Sequence, residues 1–255
     1  MHADWLQPAG LPREVGALMT TRAGGASRAP WDSLNLGAAV GDDPGAVAAN
    51  RSRFAAATGA APVFLEQIHG TRVVRVGRRD AEVDVPPPRA DASVCAEPGV
   101  ACTVLVADCL PVLLAAPDGR GVAAAHAGWR GLAGGVVEAA LHALCQAAGC
   151  APGAVSAWLG AAIGPRCFEV GEDVLRAFGA EPGSTARSHF AARPGLPGKW
   201  LADLPGLARD RLRAAGVGAI AGGSWCTFED ATRFFSFRRD RITGRMAAAI
   251  WIRPR

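Results

Sequence analysis

Tyrosine is absent from this chain, lysine occurs once, at Lys199, and histidine occurs only as His2, His69, His126, His142 and His189. Nucleic-acid-binding modules depend on basic clusters interleaved with aromatic side chains, and no such patch exists here. The net charge of +4 over 255 residues is modest and is carried almost wholly by arginine, so no nucleic-acid partner is expected. No apolar run approaches the roughly 20 residues that a membrane helix needs. Residues 1–10 contain Asp4 and lack a basic stretch followed by an apolar one, so neither a membrane partner nor a secretory signal is expected. GxGxxG and Walker loops are missing, which argues against a dinucleotide or nucleoside triphosphate site. Internal repeats, heptad seams and low-complexity tails are missing too. The seven cysteines are odd in number and scattered, unlike the framework of a small secreted protein, so a reducing, cytoplasmic setting is expected. A chain of this length can bury a sizeable core, and one domain spanning 1–255 is the expected organisation.

What is present alternates between strand and helix signals. Residues 15–21 read as a strand entering the Gly24-Gly25 turn. Asp43 and Pro44 supply an N-cap and a first-turn proline for a helix through Ala57, with Gly59 as its stop. Residues 103–106 and 111–116 are short apolar runs, Pro117-Asp118-Gly119 is a turn, and 121–125 leads into His126. Leu132, Val136, Ala140, Leu141 and Leu144 recur at helical spacing before Gly149, so the glycine-rich 131–135 stretch opens a helix just behind His126. Strands are expected at 157–160, 217–220, 233–237 and 245–252, and helices at 168–178 and 200–215. Residues 179–199, rich in Gly, Pro, Ser and Ala, read as a long mobile loop. Such interleaving without strict βαβ regularity implies a layered α/β (α+β) domain with mixed β-sheets and helices on the outer faces.

Three residues at the ends of apolar runs carry the chemistry: His69, Cys109 and His126. A thiol and two imidazoles are zinc ligands, and three protein ligands leave a coordination position open, as in a catalytic site. Their separation is far too long for a zinc finger, so convergence depends on the fold. The hairpin 111–125 can put Cys109 and His126 at one end of neighbouring strands. The blander reading of each is a buried cysteine acting as a small hydrophobe and a histidine beside a turn.

In order along the chain stand Thr20-Thr21-Arg22-Ala23-Gly24-Gly25-Ala26-Ser27, Ser33-Leu34-Asn35-Leu36-Gly37, Val40-Gly41-Asp42-Asp43-Pro44 and Gln67-Ile68-His69-Gly70. Ala107-Asp108-Cys109-Leu110-Pro111, His126-Ala127-Gly128-Trp129-Arg130-Gly131, Ile163-Gly164-Pro165, Phe168-Glu169-Val170-Gly171 and Phe235-Ser236-Phe237-Arg238-Arg239-Asp240 follow. This ordered set resembles the family historically labelled multicopper polyphenol oxidase or laccase-like, also called peptidoglycan editing factor, and now regarded as purine nucleoside phosphorylases. The resemblance implies an α/β/β/α-type sandwich. It also implies a zinc enzyme that phosphorolyses adenosine, inosine, guanosine and methylthioadenosine and deaminates adenosine, with the metal triad on His69, Cys109 and His126. A laccase reading fits poorly, because multicopper oxidases need many histidine ligands and five histidines cannot supply them.

On that reading one Zn²⁺ per chain is the cofactor, inorganic phosphate the co-substrate and a purine nucleoside the small-molecule partner. Arg22, Arg51 and Arg130 are candidate phosphate or purine clamps, Asn35 is a neutral hydrogen-bonding partner, and Cys109 and Asp108 stand at the catalytic centre. Asp108 either orients a ligand or acts as general base. A second reading makes Cys109 a nucleophile of a cysteine hydrolase acting on a cell-wall precursor amide. A third is a zinc-stabilised protein without turnover. Cys167 and Cys226 lie in motif-like stretches and are structural thiols by default. A monomer is the expected state.

Overall fold

A computed structural model describes residues 2–82, 84–181 and 189–254. In chain order it places β1 (Val15–Met19), α1 (Pro44–Thr58), β2 (Ala61–Val63), β3 (Val73–Arg75), β4 (Ala92–Cys95), β5 (Val100–Val106), β6 (Leu110–Ala115) and β7 (Val122–Ala127). There follow α2 (Trp129–Gly134), α3 (Val136–Ala148), β8 (Ser156–Leu159), β9 (Glu169–Val170), α4 (Glu172–Ala177), β10 (Phe190–Ala192) and β11 (Trp200–Ala202). The chain closes with α5 (Leu204–Ala214), β12 (Ala219–Gly222), α6 (Phe237–Asp240) and β13 (Met246–Ile252).

Two mixed sheets form the middle of the molecule. One is ordered β1-β13-β5-β2 and the other β12-β8-β6-β7-β4-β3. Side chains alternate between the two faces of a strand, and here both faces are buried. On β6, Leu113 and Ala115 enter the core between the sheets, whereas Leu110, Val112 and Leu114 pack under the helices. On β13, Met246, Ala248, Ile250 and Ile252 face the core between the sheets, while Ala247, Ala249 and Trp251 meet Phe54 of α1 and Trp5 on the opposite side. Three apolar interfaces therefore separate four layers: α3 and α5, the larger sheet, the smaller sheet, and α1. The expected layered α/β architecture with outer helices is the one found.

The α1 boundaries follow the capping signals. Asp43 accepts a hydrogen bond from the Ala46 N–H at 2.8 Å, and Gly59 ends the helix at φ 63°.

Elsewhere the local signals misplace elements. The helix behind His126 begins at Trp129 and is broken by Gly135, whose φ of 99° ends α2 and starts α3 on a new axis. Residues 168–178 hold the short strand β9 before α4, because the Phe190–Ala192 and Trp200–Ala202 hairpin recruits Glu169 and Val170 as its third strand. The segment expected to be a structureless loop at 179–199 thus contains β10, and its part at 182–188 lies outside the described residues. The strand expected at 233–237 is not formed. Phe234 and Phe235 are buried there without sheet pairing, and α6 begins at Phe237, capped by the Ser236 side chain.

Leu113 is fully buried between the sheets, and truncation would leave a void that neither sheet can close. Leu113→Ala should lower unfolding free energy by about 2–5 kcal/mol in urea melts. The same change at the exposed Leu196 should stay within about 0.5 kcal/mol of the parent.

Candidate metal centre

His126 is placed by sheet register. In β7 it shares a face with Val122 and Ala124, the face turned to the smaller sheet, and Pro111 of β6 lies opposite it. Across the other edge of β7 runs β4, and the His126 N–H donates to the Asp91 carbonyl at 2.7 Å just beyond the last ladder pair, Ala92↔Ala125. Asp91 has the same parity as Ser93 and Cys95, so its carboxylate and the His126 ring meet on one face. The His126 Nδ1 lies 2.8 Å from Asp91 Oδ1, and both residues are buried. With Nδ1 occupied, Nε2 is the nitrogen presented to Cys109.

The same carboxylate positions His69. The backbone N–H groups of Ile68, His69 and Gly70 donate to Asp91 at 3.1, 2.8 and 2.7 Å. Three successive amides converging on one anion form a nest, and it accommodates His69 at a φ of 60°. Gln67 secures the preceding turn by pairing its side-chain amide with both backbone groups of Leu105, at 2.8 and 2.7 Å. Burial disfavours the Asp91 charge, but the bonds from His126, Gly70 and His69 outweigh it and hold the carboxyl below its usual range.

Cys109 sits on the crossover that carries the chain from β5 in the smaller sheet to β6 in the larger. The crossover is pinned at Asp108. Its carbonyl accepts from the Ile163 N–H at 2.9 Å, and its carboxylate accepts from Thr227 Oγ1 and the Arg238 N–H, both at 2.6 Å. Both carboxylate oxygens are engaged, so Asp108 anchors the loop that carries Cys109.

The triad converges. His69 Nε2 is 3.9 Å from Cys109 Sγ, the two imidazoles meet edge to face at 4.8 Å between centroids, and the three ligand atoms lie within 4.8 Å of one another. Donor atoms of a tetrahedral Zn²⁺ with one sulfur and nitrogen ligands stand about 3.5 Å apart, so a small contraction closes this set on the ion. Glycines permit the approach. A Cβ on Gly128 would come within 3.0 Å of Cys109 Sγ and 3.1 Å of the His69 ring, and one on Gly131 within 2.8 Å of the Gly70 carbonyl. The donor set fits zinc, and the carboxylate behind His126 is the outer partner that metal-ligating histidines require. Burial alone would raise the Cys109 thiol, but His126 and His69 pull it down to about 6. Against its own burial, His126 is raised to about 9 by Cys109 and Asp91. Among the described residues no histidine-rich second centre accompanies the triad, so the ligands of a multicopper cluster are not assembled.

The remaining expected residues are spent differently. The Asn35 amide donates to Gly37 and Asp42 and accepts from the Gly37 and Arg245 N–H groups, so it builds a buried loop and retains no hydrogen-bonding capacity for a substrate. Arg22 donates to the Asp32 and Ala231 carbonyls, pairs with the Asp32 carboxylate and covers Phe235. Arg51 donates to the Leu36 carbonyl and lies over Phe64. Arg130 is exposed and stacks on Trp129 at 4.4 Å. Two further residues near the triad escaped the sequence reading. Asp91 resembles any turn aspartate ahead of a strand. Arg245, adjacent to the β13 run, is half-buried; burial lowers its pKa while Cys109 and Asp108 oppose that, so it stands within electrostatic reach of the triad. The Gly244-Arg245 pair carries no local signal for this role.

Residues 16–253 match the family model described as multi-copper polyphenol oxidoreductase laccase. A purine nucleoside phosphorylase of Pseudomonas aeruginosa is 49% identical over 98% of this chain and 96% of its own length. The purine nucleoside phosphorylase YfiH of Escherichia coli is 47% identical over 98% of this chain and 97% of its own. The crystal structure of a Neisseria meningitidis protein superposes with a TM-score of 0.89 at 45% identity, covering 98% of this chain and all of that one. YlmD of Geobacillus stearothermophilus gives 0.89 at 35% identity, covering 100% of this chain and 98% of its own.

Two outcomes test this geometry. Asp91→Asn removes the charge that orients both histidines and should weaken zinc retention about 10- to 100-fold, read by competition with a chromophoric chelator. In the metal-free protein Cys109 should be alkylated as a thiolate, its rate falling as the pH is lowered through about 6 rather than near the ordinary thiol value, and zinc should protect it.

Proposed function

The chain belongs to the multi-copper polyphenol oxidoreductase laccase family, as that family model is described, and from this membership we propose that it is a zinc-dependent purine nucleoside phosphorylase. The observation that carries the reading is the convergence of His69, Cys109 and His126, with no fourth protein ligand in the group, in a chain nearly half identical to proteins named for that activity. His69, Cys109 and His126 would hold the zinc, which would supply Lewis acidity there.

The chain's own residues do the rest. Phosphorolysis joins a phosphate oxygen to the anomeric carbon as the glycosidic bond to the purine breaks, giving free base and ribose 1-phosphate. Positive charge develops on the sugar meanwhile, and the anion must be held against it. Arg245, whose Nη1 donates to the Thr243 and Gly244 carbonyls beside Phe237 and which feels the charges of Cys109 and Asp108, is the candidate phosphate ligand, and Arg130, exposed on the first turn after Gly128, is a second candidate. Arg22 and Arg51, half-buried and held by Asp32, Ala231 and Leu36, remain candidate substrate clamps only if those contacts are exchanged on binding. Exposed Ile68 beside His69, and exposed Phe237 beside Arg238, offer apolar surface for a purine. Asp108 keeps Cys109 in place and moves no proton in this scheme.

Adenosine, inosine, guanosine and methylthioadenosine are the proposed substrates. Deamination of adenosine, in which water replaces the C6 amino group and ammonia leaves, is the proposed second activity. Seven free cysteines suit a reducing cytoplasm, and among the described residues no helix is long and apolar enough to cross a membrane. A monomer working on small molecules completes the proposal. The cysteine-hydrolase reading is not favoured, because the relatives are named for nucleoside phosphorolysis and Cys109 sits where a metal ligand belongs.

Product chromatography tests the assignment. Inosine should yield hypoxanthine and ribose 1-phosphate only when phosphate is supplied; phosphate-independent release would make the enzyme a hydrolase, and no release from any purine nucleoside would remove the assignment. Cys109→Ala should lose both zinc and turnover, whereas full zinc with no turnover would favour the nucleophile reading. Arg245→Ala and Arg130→Ala should each raise the phosphate KM more than the nucleoside KM, by about tenfold or more for the loss of a charge-assisted contact of about 1.5–3 kcal/mol. An unchanged phosphate KM with lower thermal stability would assign that arginine to the scaffold.

A further inference from the structure

A second group of soft ligands lies outside the triad, on two turns that the fold straps together. Ala162 and Cys226 form a parallel bridge, in which the Thr227 N–H donates to the Ala162 carbonyl at 2.9 Å. Beyond it the chain turns at Gly164-Pro165-Arg166-Cys167, closed by the Cys167 N–H on the Gly164 carbonyl at 3.0 Å, and again after Cys226, where the Asp230 N–H returns to the Cys226 carbonyl at 3.2 Å. These turns bring Cys167 Sγ, Cys226 Sγ and a Glu229 carboxylate oxygen within 4.8 Å of one another. Close approach is built in, because a Cβ on Gly164 would sit 3.0 Å from Cys226 Cβ and 3.1 Å from its Sγ.

We propose that Cys167, Cys226 and Glu229 form a second cation site, which takes one soft divalent ion such as Zn²⁺ or Cd²⁺ through two thiolates and one carboxylate. Four observations converge on it. Thiolate ligands select soft and borderline cations, and two thiolates with one carboxylate neutralise a divalent charge with one negative charge to spare. The Gly164 N–H points at Cys226 Sγ from 3.2 Å, a contact that fixes the position of that sulfur. Cys167 and Glu229 are half-buried and exposed respectively, so an ion can enter from solvent and a water can complete a four-coordinate shell. The carboxylate is held in place by a forked pair with Arg166, at 2.9 and 3.0 Å, yet that pair is solvent-exposed. Exposed pairs contribute only about 0–1 kcal/mol, so Arg166 yields the carboxylate to a cation at small cost. Without an ion the two sulfurs compete for charge, and burial together with Cys226 pushes the Cys167 thiol up to about 11. Binding releases both thiol protons to solvent and changes no oxidation state.

The site has a mechanical connection to the first. Thr227 follows Cys226 and donates to the Asp108 carboxylate, and Ile163 precedes Gly164 and donates to the Asp108 carbonyl. An ion tying the two turns together therefore clamps both anchors of the loop that carries Cys109.

Titration with Cd²⁺ tests the proposal, using parent protein adjusted to one zinc per chain and zinc-free Cys109→Ala, both purified under reducing thiol and read by elemental analysis after desalting and by thiolate-to-cadmium absorbance. The parent and Cys109→Ala should each take one cadmium per chain at this site, the latter showing that it is independent of the triad. Cys167→Ser and Cys226→Ser should lose it, and Glu229→Gln, which keeps the shape and both thiols, should weaken it at least tenfold. Binding of that equivalent by Cys226→Ser, failure of the parent to bind it with both thiols free, or a Cys167–Cys226 disulfide persisting under reducing thiol would each overturn the cation site.

Discussion

One buried carboxylate organises the candidate centre. Asp91 stands at the entry to β4 and accepts from three successive backbone amides of the His69 turn while bonding the ring of His126 on β7. A buried charge this isolated from solvent would be costly, and four donors offset it. The consequence runs in both directions. The anion is stable only because both histidine segments are in place, and both segments are oriented only because the anion is there. Removing one partner of such a group leaves an uncompensated charge, a loss of about 3–5 kcal/mol, so the centre and the local fold stand or fall together.

Asp108 plays the matching part for the thiol. The chain leaves one sheet at Val106 and joins the other at Leu110, and a crossover of this kind has no ladder hydrogen bonds to hold it. Thr227, Arg238 and Ile163 supply that hold from two distant segments. The Phe235-to-Asp240 motif is thereby accounted for: Ser236 caps α6, Arg239 donates to the Thr227, Phe228 and Phe234 carbonyls, and the Arg238 backbone reaches Asp108. Its arginine side chains fasten backbone carbonyls, Arg239 those of Thr227, Phe228 and Phe234 and Arg238 that of Glu169.

The sandwich explains why the centre sits where it does. Strands buried on both faces leave no room for polar chemistry along their length, so the ligands gather at strand ends, where loops supply amides and glycines. Gly128 shows the constraint most directly, since any side chain there would enter the space between Cys109 and His69.

From the sequence alone came the layered class, the capped helix after Asp43, the hairpin carrying Cys109 and His126, and the three candidate ligands that the fold brings together. Each rests on short-range signals: apolar runs, a proline-glycine turn, a cap, or residue types with affinity for zinc. The tertiary structure decided what long-range contacts alone can specify. Asp91 became a partner of the centre through neighbours brought from elsewhere in the chain, and no local pattern marks it. The Asn35 amide was committed to Gly37, Asp42 and Arg245 by loop closure, a use no local pattern announces. The 179–199 segment looked structureless because a strand as short as Phe190–Ala192 has too few residues to show a period, and it exists only by pairing with Trp200–Ala202. Residue chemistry is local and can be read in order along a chain, whereas a side chain's neighbours depend on sheet register and loop closure, which are properties of the whole fold.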